Sequence, residues 1–383
     1  MERESVATVL SASSVSANLN SPKLLVAASG TGGHVFPAVA TAEQLSHYQI
    51  EWLGVPDRLE TQLVPSHYPL HTISVTGFQS RLGLNTLKVL GQFLRSIFTV
   101  RRLLQRGGFQ GVFTTGGYIA APAVIAARSL GLPIILHESN ALPGKVTRWL
   151  SPWCSVVAIG FAEAAQYLGK AKTTWVGTPV RSQFRALAEA DSIDRSEHLP
   201  DLPIPDGAPL IVVVGGSQGA VAVNQLVRQA APAWFESGVW VVHLTGENDP
   251  AAKTLIHPQY VALPFYHNMA GLLQRATLAV SRAGAGTLTE LAMSGTPAIL
   301  IPYPFAAEDH QTFNAKVFEA AGAALLEQQA HLTAAQLQQQ VLNLLQSPDR
   351  LQQMSQAAKQ LAIVDSAEKL AHLVQQWIEH QSH

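Results

Sequence analysis

Two stretches of the chain repeat one pattern, and that pattern leaves few folds open. "LLVAASGTGGHVFP" (24–37) passes from an apolar strand through a glycine-rich turn into a helix, and "PLIVVVGGSQGA" (209–220) does the same. Such a turn collects backbone N–H groups at a helix N-terminus, a ready site for an anion. Around these two openings short apolar runs alternate with helical patterns, the mark of β-α units and a parallel sheet. Strands are expected at 23–28, 111–114, 134–137 and 156–159, then at 240–244, 278–281 and 298–301. The intervening "RALAEADSIDRSEHLPDLPIPDGAP" is rich in Asp, Glu and Pro and reads as a linker. The expected architecture is α/β, with two Rossmann-like doubly wound domains facing across a cleft. Its parts are a disordered tail over 1–20, a first domain over 21–181, a linker over 182–207, a second domain over 208–356, and a closing helix over 357–383 that packs back on the first domain. Doubly wound sheets bind ligands at their C-terminal strand edges, so each half would bring one substrate to the middle.

Composition narrows the function classes. The 383 residues are 47% hydrophobic and 13% charged with a net charge of −1, which argues against nucleic-acid binding by bulk charge. The single cysteine, Cys154, excludes an intrachain disulfide framework and a multi-cysteine metal site. The first 20 residues lack the apolar core of a secretory signal. The most apolar run, "YIAAPAVIAARSLGLPIIL", is interrupted by Pro122, Arg128 and Pro133 and is not a membrane span.

Several groups offer chemistry, each with a structural alternative. In "SRAGAGTLTELAMSG" (281–295), Gly284 and Gly286 precede a helix expected to start near Thr287. Its N-terminus suits a diphosphate, with Glu290 one turn on and within reach of ribose hydroxyls. Thr287 and Glu290 are equally spaced as a capping box. Ser217 in the second glycine turn can close on the same phosphates. "PYPFAAEDHQTFNA" (302–315) gathers Glu308, Asp309, His310, Gln311 and Asn314, either for a hydroxyl-rich ligand or as helix-capping acids. In the first turn Thr31, Gly32 and Gly33 lead into His34, and no GxxxxGK[ST] pattern is present, which disfavours nucleoside triphosphate hydrolysis. His34 is either a base for an acceptor hydroxyl or a packing histidine. Gly116, Gly117 and Tyr118, and also His137, Glu138 and Asn140, sit at further strand ends as cleft groups or as turn chemistry. The stretch 80–109 carries Arg81, Lys88, Arg95, Arg101, Arg102 and Arg106 with no acid and has helical apolar spacing. It is either a membrane-surface helix or a core helix with cations in water.

"SGTGGHVFPAVA", "TTGGYIAAPAVIAA", "LHESNALPGKVTRWL", "VGTPVR", "VVVGGSQGA" and "SRAGAGTLTELAMSGTPAILIPYPFAAEDHQTFNA" occur in that order, and together they closely resemble the MurG family of peptidoglycan glycosyltransferases. The likeness covers roughly 23–375. It implies the GT-B fold and inverting transfer of GlcNAc from UDP-GlcNAc to the MurNAc 4-hydroxyl of undecaprenyl-pyrophosphoryl-MurNAc-pentapeptide, turning lipid I into lipid II. It implies no cofactor and no metal, and the chain has no Asp-x-Asp pair to anchor a cation. It further implies donor contacts at Thr31, Gly32, Gly33 and Asn140 near the sugar, and at Arg181 and Ser217 on the diphosphate. Tyr266 would stand where the uracil is read. Ala285, Gly286, Thr287, Leu288 and Thr289 would line the phosphates, with Glu290 on the ribose and Gln311 on the GlcNAc hydroxyls. Gly116, Gly117 and Tyr118 would meet the acceptor, and His34 is the candidate base. The implied setting is an anionic membrane surface at the cytoplasmic face of the bacterial plasma membrane, with no nucleic-acid partner. Alternatives from the same architecture are transfer to another lipid such as diacylglycerol, or UDP-GlcNAc 2-epimerisation. The chain departs from the common family pattern at Ser29, Ser139 and Thr178.

Overall fold

The computed structural model describes residues 21–56, 60–75, 84–188, 199–216 and 219–380. Residues 1–20, Arg81 and Ser217 lie outside the described residues, as does the side chain of Lys88. The first sheet contains β1 (Lys23–Ala27), β2 (Gln49–Gly54), β3 (Leu70–Thr72), β4 (Gly111–Thr114), β5 (Ile134–Glu138), β6 (Val156–Ile159) and β7 (Thr173–Trp175). The second contains β8 (Leu210–Val214), β9 (Trp240–Leu244), β10 (Tyr260–Leu263), β11 (Leu278–Ser281), β12 (Ala298–Leu300) and β13 (Ala324–Leu326). The strand orders are 3-2-1-4-5-6-7 and 10-9-8-11-12-13, and the pairs are parallel throughout. The chain therefore has the GT-B arrangement of two doubly wound sheets.

The central strands are apolar on both faces because helices cover both. Leu25, Ala27 and Val112 face a core shared with Val100 and Leu104 of the helix Leu84–Gly107 and with the helix Ala120–Arg128. Leu24, Val26 and Phe113 point the other way, into a core closed by Leu370, Val374 and Ile378 of the last helix, Ser366–Glu379. That helix brings the end of the chain back onto the first sheet. The stretch read as a linker is partly structural. It holds a helix, Ser182–Ala188, whose Phe184 is buried in the second sheet's core with Leu199 and Leu202.

Strand order reverses between β1 and β4 in one sheet and between β8 and β11 in the other, and ligands of open α/β sheets bind at such switch points. All four glycine-rich turns follow those strands: 28–33 after β1, 115–117 after β4, 215–219 after β8 and 282–286 after β11. The loops after β5 and β12 lie one strand further out.

Candidate active site

The first turn is held from behind by a residue that the sequence reading missed. Glu60 is fully buried, and its carboxylate accepts the Ser29 hydroxyl, the Val55 N–H at 2.7 Å and the Gly30 N–H at 3.2 Å. Little local marks Glu60, because two of the three groups it holds, Ser29 and Gly30, belong to the turn after another strand. The helix Gly32–Glu43 then starts with Thr31 as its N-cap, and no side chain caps it.

His34 lies over the turn after β4. Its Nδ1 is 2.7 Å from the Thr115 carbonyl, and the Thr115 hydroxyl donates back to the His34 carbonyl at 2.9 Å. A carbonyl only accepts, so Nδ1 carries the proton and Nε2 is left as an acceptor. Gly116 and Gly117 have φ of 90° and 75°, so glycine is required there, and they run directly beneath the imidazole. Tyr118 is 62% exposed beside them. The structure thus brings together His34, Gly116 and Gly117.

In the second domain the helix is Ala285–Ser294, starting two residues earlier than expected. Its N-cap is Gly284, which removes the capping-box reading of Thr287 and Glu290. No side chain caps this N-terminus, and a Cβ on Gly284 or Gly286 would meet nothing within 4 Å. The N–H groups of its first turn thus have no side-chain cap among the described residues. Leu288 is fully buried and Thr289 turns its hydroxyl back to the Ala285 carbonyl at 2.9 Å, so neither side chain is offered to the cleft.

Arg181 joins the two domains. Its Nη2 donates to Glu290 Oε1 at 2.7 Å, and its guanidinium stacks over Phe36 of the first-turn helix at 5.0 Å and over Phe184 at 5.3 Å. Burial pushes the Glu290 carboxyl above its ordinary pKa, while Arg181 draws it back down. A second bridge runs through Asn314, which is fully buried. Its Oδ1 accepts the Ala141 N–H at 2.8 Å, and its Nδ2 donates to Asn140 Oδ1 and to the Ala283 carbonyl, each at 3.1 Å. Gln311 uses Oε1 to accept the N–H groups of Ala283 (3.2 Å) and Tyr303 (2.9 Å). A third bridge pairs Arg148 with both carboxylate oxygens of Glu308 at 2.6 and 2.7 Å.

For His137 and Glu138, of the two readings the sequence leaves open, the structure favours turn chemistry. His137 is fully buried with Nε2 at 2.9 Å from the Gly177 carbonyl, and burial lowers its pKa. Glu138 is also buried and ties its own loop, accepting from Asn140 N, Asn140 Nδ2 and Gly144 N. Both residues are turn chemistry, and of that trio only Asn140 touches the opposite domain. Tyr266 follows β10 at the edge of the second sheet, partly buried against that sheet's core.

The basic helix Leu84–Gly107 serves two faces. Val100 and Leu104 are core, while Leu90, Leu94 and Phe98 form an i, i+4, i+8 stripe that is 44, 48 and 62% exposed. Arg95 and Arg102 are exposed beside Phe98, whereas Arg101 is tied to Ser129. Among the described residues no helix is long and apolar enough to cross a membrane.

Residues 24–159 match the glycosyltransferase family 28 N-terminal domain and residues 210–370 the glycosyltransferase family 28 C-terminal domain. A protein of Trichormus variabilis named UDP-N-acetylglucosamine--N-acetylmuramyl-(pentapeptide) pyrophosphoryl-undecaprenol N-acetylglucosamine transferase is 67% identical over 362 residues, which is 94% of this chain and 99% of that one. A Nostoc punctiforme protein of the same name is 66% identical over the same shares. Among solved structures, that of Acinetobacter baumannii MurG is similar with a TM-score of 0.75 at 30% identity, covering 93% of this chain and 99% of that chain. With both family 28 domains matched in order and such relatives spanning nearly its whole length, the chain belongs to the MurG family of glycosyltransferases.

Proposed function

We propose that this chain transfers N-acetylglucosamine from UDP-GlcNAc to the 4-hydroxyl of the MurNAc unit of undecaprenyl-pyrophosphoryl-MurNAc-pentapeptide, with inversion at the anomeric carbon. The observation that carries the reading is the uncapped helix N-terminus at Gly284–Gly286, linked through Asn314 to the loop after β5 at Asn140 and Ala141, and through Glu290–Arg181 to Phe36 of the helix that carries His34. An acceptor oxygen forms its bond to C1 as the bond from C1 to the β-phosphate oxygen breaks. UDP leaves, and the hydroxyl proton passes to His34 Nε2, the ring nitrogen left free by Thr115. Negative charge growing on the diphosphate meets the N–H groups of Ala285, Gly286 and Thr287, the helix dipole and Arg181. Leu288 and Thr289 act only through the backbone that sets this turn.

Arg181 pairs with Glu290 through Nη2, while its buried Nε has no hydrogen-bond partner among the described residues. Donor binding then exchanges one ion pair for two contacts, Glu290 to the ribose hydroxyls and Arg181 to the diphosphate. Gln311 has committed its carbonyl oxygen to the backbone, so its amide N–H groups are what remain for GlcNAc hydroxyls. Thr31, Gly32, Gly33 and Asn140 lie on the sugar side, Tyr266 and its loop on the uracil side, and Gly116, Gly117 and Tyr118 on the acceptor side. Ser217 is assigned to the diphosphate from its place in the motif alone.

The lipid-borne acceptor calls for a membrane contact. The stripe Leu90, Leu94 and Phe98, flanked by Arg95 and Arg102, suits an anionic bilayer surface. The enzyme then works peripherally at the cytoplasmic leaflet, where nucleotide sugars are available. Incubating the full chain with radiolabelled UDP-GlcNAc and a lipid I analogue in anionic vesicles should give a labelled lipid product with the β configuration. Transfer to diacylglycerol instead, or 2-epimer formation without acceptor, overturns the reading.

A further inference from the structure

Behind the second glycine turn lies a closed set of polar side chains that the transfer chemistry leaves unused. Asn224, in the first turns of the helix Val221–Glu236, is fully buried. Its Nδ2 donates to the Thr245 carbonyl at 2.9 Å and to Asp249 Oδ2 at 2.8 Å, and its Oδ1 is 3.0 Å from His243 Nε2. His243, on β9, is fully buried too, and its Nδ1 is 2.7 Å from the Tyr260 hydroxyl on β10. Asp249 also accepts Arg228 Nη1 at 2.7 Å and the Ala251 N–H at 3.0 Å.

Every direction in this network is forced. Asn224 spends both amide hydrogens on Thr245 and Asp249, so its oxygen accepts and His243 Nε2 is the protonated nitrogen. His243 Nδ1 therefore accepts, and the Tyr260 hydroxyl donates. Burial, followed by the charge of Arg228, holds the His243 pKa down to about 3, in keeping with a neutral ring.

The network connects two parts of the proposed nucleotide site, the second glycine turn and the loop that carries Tyr266. Asn224 and Arg228 sit on the helix that continues the second glycine turn, and Thr245 and Asp249 sit on the loop after β9. A Cβ on Gly219 would lie 2.6 Å from the Thr245 carbonyl, so the turn rests directly on the group that Asn224 holds. Thr245 N and Gly246 N in turn donate to the carbonyls of Leu263 (2.9 Å) and Pro264 (3.1 Å), where the loop carrying Tyr266 begins.

We propose that Tyr260, His243, Asn224 and Asp249 are positioning residues whose one-way hydrogen-bond chain sets the spacing between the diphosphate turn at Gly219 and the base-reading loop at Tyr266. This rests on the donor-site reading given above. Asn224→Asp would set one carboxylate against another and deprive the Thr245 carbonyl of its donor. Tyr260→Phe would take one hydroxyl from the chain and release the His243 tautomer.

The test is titration of the full-length protein with UDP, uridine and pyrophosphate, each measured by competition against UDP-GlcNAc, alongside steady-state kinetics. For Asn224→Asp the expected result is UDP affinity weakened about tenfold and the KM for UDP-GlcNAc raised to match, with kcat and the uridine and pyrophosphate affinities within about twofold of wild type. Tyr260→Phe should shift UDP affinity in the same direction by about threefold while staying folded, with the melting temperature lowered by only a few degrees. It carries the test should Asn224→Asp fail to fold. Unaltered UDP affinity in a folded variant, or equal losses for uridine and UDP, overturns the proposal, since a merely structural role would not single out the ligand that spans both contacts. Failure of the wild-type chain to bind UDP would instead sink the donor-site reading itself.

Discussion

His34 owes its tautomer to a single carbonyl, and that makes its role open to a clean test. With Nδ1 committed to Thr115, an asparagine at position 34 can keep a polar group near the turn but supplies no base. His34→Asn should lower kcat by about 10²- to 10⁴-fold, with the KM for UDP-GlcNAc within about twofold, in steady-state assays on a lipid I analogue. Near-normal kcat would remove the base assignment. Glu290 predicts a pH effect. Its pKa is raised by burial against the opposing pull of Arg181, so the neutral acid, which is the poorer ribose acceptor, appears at a higher pH than for an ordinary glutamate. As pH falls, kcat/KM for UDP-GlcNAc should drop at a point above the ordinary glutamate value of about 4.3, and Glu290→Gln should be low throughout without that acid limb. Spacing alone left Glu290 between a cap and a ribose ligand. The choice turns on where the N-cap falls, and β11 with its following turn puts it at Gly284. Glu60 was not legible at all, because its partners Ser29, Gly30 and Val55 come together only when β1 and β2 pair.

Among the elements, the helix Leu84–Gly107 packs on the first core through one face and leaves exposed the apolar stripe on which the membrane proposal rests. Its core face and its exposed stripe adjoin but use different residues, Val100 and Leu104 for the one and Leu90, Leu94 and Phe98 for the other, so neither the packing nor the membrane reading takes residues from the other. Arg95→Ala with Arg102→Ala should weaken binding to anionic vesicles by about 2 kcal/mol, roughly 30-fold, at low salt, and the difference should shrink as salt screens it. Leu94→Ala with Phe98→Ala should weaken binding at every salt concentration, as loss of apolar insertion requires. Cosedimentation with vesicles checks both, and unchanged binding in both double variants would assign the stripe to some other contact. The central strands were readable because burial on both faces writes them as unbroken apolar runs, as in "LLVA" of β1 and "LIVVV" of β8. The short strands β3 and β7 were not, since each is only three residues long with two of the three polar, and their pairing with β2 and β6 is what makes them strands.

At the scale of the molecule, closure is governed from two sides of the cleft. On one side the chain crosses between domains twice, and the crossings touch. Gly177, with φ of 80°, approaches Ile363 so closely that a Cβ would lie 2.8 Å from it, and the Ser366 hydroxyl donates to the Thr178 carbonyl at 3.3 Å. On the other side Arg148–Glu308 and Asn140–Asn314 hold the lips together. Glu308 and Asp309 both take left-handed backbone, φ of 53° and 57°, which costs non-glycine residues on the order of 1–3 kcal/mol each. The Arg148 clamp helps keep Glu308 there. None of this could be read along the chain, because each contact joins residues more than 150 positions apart. A half-exposed ion pair adds at most about 1 kcal/mol to folding, so Arg148→Ala should leave the melting temperature almost unchanged. It should instead let the lips part. Small-angle scattering of the free protein should then show a larger radius of gyration, and kcat/KM for the lipid acceptor should fall by about three- to tenfold. Saturating UDP-GlcNAc should restore the compact form, because the donor replaces the lost bridge by binding both lobes. If neither the scattering profile nor the kinetics changed, Arg148–Glu308 would be a surface pair with no part in closure, and control of the cleft would fall to Asn314 and Arg181.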